Sequence, residues 1–141
     1  MSKGRIYIAG PLFNEAERWA QAQIEKWAAE AGWETFLPQR DAGALNSKDD
    51  VKRIYLKNRE AIENADLVVA NLNGTATDEG TAWEVGYAVA KAKIIVGLFS
   101  DWRKRFVFHD VGIMVECGLE KLCRSPDELK AFLQSYSVKP K

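Results

Sequence analysis

Asp78 and Glu84 close the two ends of a short run, Asp78-Glu79-Gly80-Thr81-Ala82-Trp83-Glu84. Two carboxylates around one cleft are what glycosidic chemistry needs. One attacks or stabilises an anomeric carbon, and the other orients the sugar or assists the leaving group. The pattern puts Asp78 on a loop and Glu84 in the first turn of the following helix, where the helix dipole favours the ionised form of a nucleophile. A structural reading competes with this one. Thr81 and Glu84 have capping-box spacing, and on spacing alone capping is the commoner outcome. Asp78 alone could form an Asx-turn, and Gly80 could supply only a turn. A glycine-containing loop before a helix could also hold phosphate. However, the chain contains neither GxxxxGK[ST] nor GxGxxG, which weakens a nucleoside-triphosphate or dinucleotide reading.

Other polar residues sit at informative places. Asn58 falls on the same helical stripe as Val51, Ile54, Tyr55 and Ile62. An amide on an apolar face needs a partner, either a neighbouring backbone group or a ligand's amide or ring nitrogen. Tyr7 lies between Ile6 and Ile8, where a tyrosine is most often core. His109 is the only histidine, so a histidine-based metal site is not expected. Arg103, Lys104 and Arg105 read as a solvated charge run. Cys117 and Cys123 read as two buried, reduced thiols, with no zinc-like spacing.

The elements that must hold these residues follow from patterning. The 141 residues fit one domain, and with 47% apolar residues and five Trp they can build a core. Twenty basic residues balance twenty acidic ones, which argues against nucleic acid as the main partner. No apolar segment is long enough to span a bilayer, and no signal-peptide pattern opens the chain, so a cytoplasmic protein is expected. Strands are expected at Arg5–Ala9, Thr35–Leu37, Asp66–Ala70, Ile94–Leu98 and Lys121–Cys123. Helices are expected from Asn14 to Ala31, from Ser47 to Asn64, from Thr81 to Lys91, over Val111–Leu119, and from Ser125 to near Tyr136. A polar loop is expected from Gln39 to Asn46, and a loose tail over 137–141. Strands alternating with helices imply an α/β three-layer sandwich, flavodoxin- or Rossmann-like, with a five-stranded parallel sheet in the order 2-1-3-4-5. Ligands in such folds bind beyond the carboxyl ends of the strands, at the switch point between the first and third. That points to Gly10–Phe13 and to Asn71–Glu84.

Four segments together resemble the nucleoside 2-deoxyribosyltransferase family. They are Ile6-Tyr7-Ile8-Ala9-Gly10-Pro11-Leu12-Phe13, Phe36-Leu37-Pro38-Gln39-Arg40-Asp41, Asn64 to Leu72, and Asp78-Glu79-Gly80-Thr81-Ala82-Trp83-Glu84-Val85-Gly86-Tyr87-Ala88. The last is the most specific, a D-x-G-T-x-x-E-x-G-Y-A run after a strand. The resemblance implies that Glu84 is a nucleophile that forms a covalent deoxyribosyl-enzyme, and that the Tyr7 hydroxyl holds it. It implies that Asp78 contacts the sugar hydroxyl, and that Gly10, Pro11, Leu12 and Phe13 line the base pocket. Gln39, Arg40 and Asp41 lie on a loop that approaches the ligand in similar proteins, and Gly80 belongs to the same site. Two positions depart from the pattern. Asn58 stands where some members have aspartate and cannot donate a proton as an acid. Gly112 stands where many members have an asparagine that enters a neighbouring subunit's site to bind the sugar 5′-hydroxyl. Asp110 is the nearby substitute, and Met114 is a further candidate contact.

The implied reaction is a ping-pong transfer of 2-deoxyribose between purine or pyrimidine bases, with net retention. Deoxynucleosides and free nucleobases are the expected partners, in a homo-oligomer that is a dimer or an assembly of dimers. No cofactor and no metal is expected. The nearest competing reading is a deoxynucleoside 5′-monophosphate N-hydrolase. A second is a non-catalytic nucleotide-binding module that keeps Asp78 and Glu84 as ligand and cap residues.

Overall fold

A computed structural model describes residues 1–138. Five strands, β1 (Arg5–Ala9), β2 (Glu34–Phe36), β3 (Leu67–Asn71), β4 (Ile94–Leu98) and β5 (Lys121–Cys123), form one sheet in the order β2-β1-β3-β4-β5. Every pairing is parallel, with Tyr7 opposite Phe36 on one side and Val68 on the other. The expected topology is therefore observed. The helices are α1 (Glu15–Glu30), α2 (Pro38–Asp41), α3 (Lys48–Asn64), α4 (Glu79–Ala90), α5 (Ile113–Glu116) and α6 (Pro126–Ser135).

Strand alternation divides the core in two. Ile6, Ile8, Leu67, Val69, Val96 and Leu98 face one layer, where they meet Ile24 and Ala28 of α1 and Leu129 and Leu133 of α6. Tyr7, Ala9, Val68, Ala70 and Ile95 face the other, against Ile62 of α3 and Val85 and Ala88 of α4. Full burial of each aliphatic side chain contributes about 2 kcal/mol before entropy is counted. The same alternation decides where the chemistry sits, because it sends Tyr7 toward α4.

The helix starts follow from their caps. Asn14 Oδ1 accepts the Glu17 N–H at 2.9 Å and Ser125 Oγ the Glu128 N–H at 3.2 Å, as their sequence spacing predicts. Gly32 ends the α1 segment at φ +93, which only glycine adopts without strain. Several expectations are corrected. Residues 39–41, expected within a polar loop, form a short helix with Pro38, which begins it. The helix expected over 111–119 shrinks to a single turn, Ile113–Glu116. Cys123 is buried but Cys117 is exposed. Val51 and Tyr55, expected on the inward stripe of α3, are 58% and 45% exposed. Tyr55 borders a cavity rather than the core, as do Ile54, Asn58 and Arg59 of the same helix. Val138, expected in the loose tail, packs against the α1–α6 layer, and residues 139–141 lie outside the described residues.

Candidate active site

The switch point lies where the chains leaving β1 and β3 diverge, and a buried amide pair ties them together. Gln21 of α1, 1% exposed, accepts a hydrogen bond on Oε1 from Asn71 Nδ2 at 3.0 Å. A Cβ on Gly10 would lie 2.4–2.6 Å from the Gln21 amide, so any side chain there would displace that amide from Asn71. Nothing in the local spacing of Gln21 and Asn71 betrays this pair. Both are polar residues in otherwise apolar neighbourhoods, which is the available signal.

Beyond this junction opens a cavity of about 840 Å³. Gly10, Leu12 and Phe13 line it from the β1 side, and Asp78, Gly80, Trp83 and Glu84 from α4. Ile54, Tyr55, Asn58, Arg59 and Ile62 line it from α3, and residues 38–40 and 42–46 complete the rim. The rim loop is shaped by Arg53, whose guanidinium donates to the carbonyls of Ala42 at 2.7 Å and Ala44 at 2.9 Å. Gly43 between them has φ +87 and has no room for a side chain beside Arg53.

At the cavity's foot, the Tyr7 hydroxyl donates to Glu84 Oε2. Tyr7 is fully buried and its ring stacks on Phe36 at 5.6 Å. Its orientation is therefore set by the sheet and not by the ligand. The Glu84 carboxyl is enclosed except toward the cavity, and burial pushes its pKa up from 4.5 to about 8. This corrects the expectation of a dipole-favoured carboxylate. The true N-cap of α4 is Asp78, whose Oδ2 accepts the Thr81 N–H and the Thr81 hydroxyl, each at 2.9 Å. The helix therefore starts earlier than predicted, and Glu84 falls in its second turn, where the dipole has faded. The Thr81–Glu84 capping box does not form. Glu84 is left free of any capping duty, and Asp78 combines capping with a place on the cavity wall.

The remaining candidates divide cleanly. Gln39 and Asn58 both line the cavity, and each has a buried, unpartnered oxygen, Oε1 and Oδ1 respectively. Gln39 Nε2 donates to the Arg18 carbonyl at 2.9 Å, which fixes the amide with its oxygen free. Four candidates do not reach the cavity of this chain. Pro11 is buried and is not part of the cavity lining. Asp41 turns back to accept the Leu37 N–H at 2.8 Å and to pair with Arg40, which holds its carboxyl below the usual range. Asp110 pairs with Arg124. Met114, on α5, is 86% exposed away from the cavity. Among the described residues, no cluster of His, Cys, Asp and Glu could hold a metal ion. No helix among them is long and apolar enough to cross a membrane.

A family model described as nucleoside 2-deoxyribosyltransferase matches residues 6–117. A conserved protein from Enterococcus faecalis V583 is 27% identical, with a TM-score of 0.79 over 95% of this chain and 98% of its own. A 2-deoxyribosyltransferase from Bacillus psychrosaccharolyticus is 20% identical, with a TM-score of 0.78 over 97% of this chain and 98% of its own. A CMP N-glycosidase from Clostridium botulinum is 20% identical, with a TM-score of 0.60 over 94% and 99%. At this identity the last two establish a shared fold. No curated protein sequence matches the chain.

Proposed function

The chain belongs to the nucleoside 2-deoxyribosyltransferase family, and from that premise we propose that it moves 2-deoxyribose between nucleobases through a covalent intermediate on Glu84. The observation that carries this reading is the Tyr7–Glu84 pair at the foot of the cavity. The hydroxyl engages one carboxylate oxygen and leaves the other to attack. Glu84 forms a bond to the anomeric carbon as the bond to the base breaks, and the electron pair leaves with the base. A second base then attacks the same carbon and displaces Glu84. Each step inverts, so the transfer retains configuration.

The other residues take supporting roles. Asp78 faces the sugar from the start of α4. Leu12 and Phe13 offer apolar surface to the base, and the free oxygens of Gln39 and Asn58 accept hydrogen bonds from its edge. Asn58 has no acidic proton, so protonation of the leaving base falls to Asp78, another group or water. A protein working in the cytoplasm as a dimer, or an assembly of dimers, suits Asp110 and Met114, which lie outside their own chain's cavity and would serve a neighbouring subunit's site.

Hydrolysis of a deoxynucleoside 5′-monophosphate is the second reading. It is favoured by Arg18 and Arg59 in the cavity lining, where a phosphate would meet a guanidinium. One assay separates the two: deoxynucleosides with and without the 5′-phosphate, each offered a free acceptor base. Transfer from the unphosphorylated donor is expected. Preference for the phosphate with no transfer would overturn the first reading.

A further inference from the structure

The charged run after β4 takes no part in the proposed reaction, and the expectation of a solvated surface holds for only part of it. Asn73 Oδ1 accepts the N–H groups of Ser100 at 2.8 Å and Asp101 at 3.1 Å, and its Nδ2 donates to Ser100 Oγ at 3.0 Å. The Gly74 N–H donates to Asp101 Oδ2 at 3.1 Å. Arg103 pairs with Asp101 from the solvent side. The segment after β4 thus grips the start of the loop between β3 and α4.

Arg105 completes the grip from the inside. One arm of its guanidinium donates to the Leu72 carbonyl. The other reaches Thr77 Oγ1 at 3.4 Å. The same group lies 4.7 Å from the centre of the Phe99 ring, which is buried. Its Nε is buried with no partner, so the side chain leaves one donor unmet while its fork spans these two acceptors. Leu72 and Thr77 are the two ends of one loop, and the residue after Thr77 is Asp78. Leu72 is itself fixed to the sheet, since its N–H donates to the Leu98 carbonyl at 2.9 Å.

We infer that Arg105 is a positioning residue: its fork staples the Leu72–Thr77 loop closed and thereby sets where Asp78 caps α4 and faces the cavity. The link to catalysis rests on the proposed function, whereas the link to loop order does not. Lysine replaces the staple only in part, because an ammonium is a single point donor that cannot span both acceptors as the planar fork does.

Three variants test this. Arg105→Met keeps an apolar stem against Phe99 and removes the fork. Arg105→Lys keeps the charge. Thr77→Val removes one acceptor only and leaves the fold in place should Arg105→Met fail to fold. Amide hydrogen exchange is followed at residues 73–82 and in α6, beside steady-state transfer kinetics. In Arg105→Met, exchange at 73–82 should accelerate at least about tenfold with α6 unchanged. The kcat should fall about 10- to 100-fold, with KM altered by less than about threefold. Arg105→Lys and Thr77→Val should fall between this variant and the wild type on both readouts. Faster exchange across the whole chain, with kcat losses that only follow Tm, would overturn the inference in favour of a general stabilising role. Faster local exchange with unchanged kcat would overturn the link to Asp78. If the wild type turned over no nucleoside, the proposed function would fall, and exchange at 73–82 would still decide the staple, with unchanged rates counting against it.

Discussion

On the floor of the cavity, Tyr7 projects from the middle of a sheet covered on both faces and is fully buried, whereas on the rim Phe13, Leu45 and Tyr55 are 75%, 65% and 45% exposed. The floor is held by strand pairing, by stacking on Phe36 and by the bond to Glu84. The rim hangs on a few side-chain anchors, chiefly Arg53 on the carbonyls of Ala42 and Ala44. The floor therefore holds the Glu84 carboxyl in one place, while the rim is free to change shape; under the proposed function the first suits a nucleophile and the second suits varied bases. Large kinetic effects are expected below and small, base-dependent ones above.

The sharpest break of this contrast is Glu84→Ala, which should lower transfer by at least about 10³-fold. A rim-like, modest loss would remove Glu84 from the mechanism. The acid side of the pH profile comes next. Only the ionised carboxylate attacks, and burial pushes the Glu84 pKa up to about 8. The kcat/KM should therefore fall about 50-fold between pH 8 and pH 6, approaching about tenfold per pH unit on the acid side. A limb near 4.5, the ordinary glutamate value, would contradict the enclosed floor. The same shift sets a stability signature. The folded pKa is raised, so the unfolded chain loses its proton first as pH climbs, and stability is lost between about 4.5 and about 8. Glu84→Gln should then melt above the wild type at pH 8 and level with it at pH 4.

Tyr7→Phe keeps the stacked ring and deletes the donor to Glu84, so kcat should fall about 10- to 100-fold with little change in KM. A change confined to KM would make Tyr7 a ligand contact instead. The smallest effect belongs to the rim. Tyr55→Ala should change KM by only about two- to fivefold, by different factors for purine and pyrimidine donors. A loss as large as that of Tyr7→Phe would erase the distinction between floor and rim.

How far the sequence was legible follows the same division. The bounds of β1 and β5 match the expected ones, and each is flanked by glycine or charged residues, Gly4 and Gly10 for β1 and Glu120 and Arg124 for β5. The order of the sheet follows from the alternation of strands and helices. Tyr7 and Glu84 are legible only through two separate family-like segments, Ile6–Phe13 and Asp78–Ala88, and their contact spans the fold. What escaped notice depends on a single side chain choosing its partner. Asp78 capping Thr81 moved the start of α4 forward and took Glu84 out of the helix's first turn. Asp41 was drawn to the Leu37 N–H and to Arg40, and so away from a ligand. Arg105 resembled its exposed neighbours in sequence, yet its guanidinium bonds the Leu72 carbonyl inside the fold. Local spacing does not encode such long-range choices.

The most direct measurement is the intact and peptide mass of the protein after incubation with a slow 2-fluoro-2-deoxynucleoside. The account predicts a single added 2-fluoro-2-deoxyribosyl group, located on Glu84 and released when a free base is supplied. No adduct on Glu84, together with unimpaired transfer by Glu84→Ala, would contradict it.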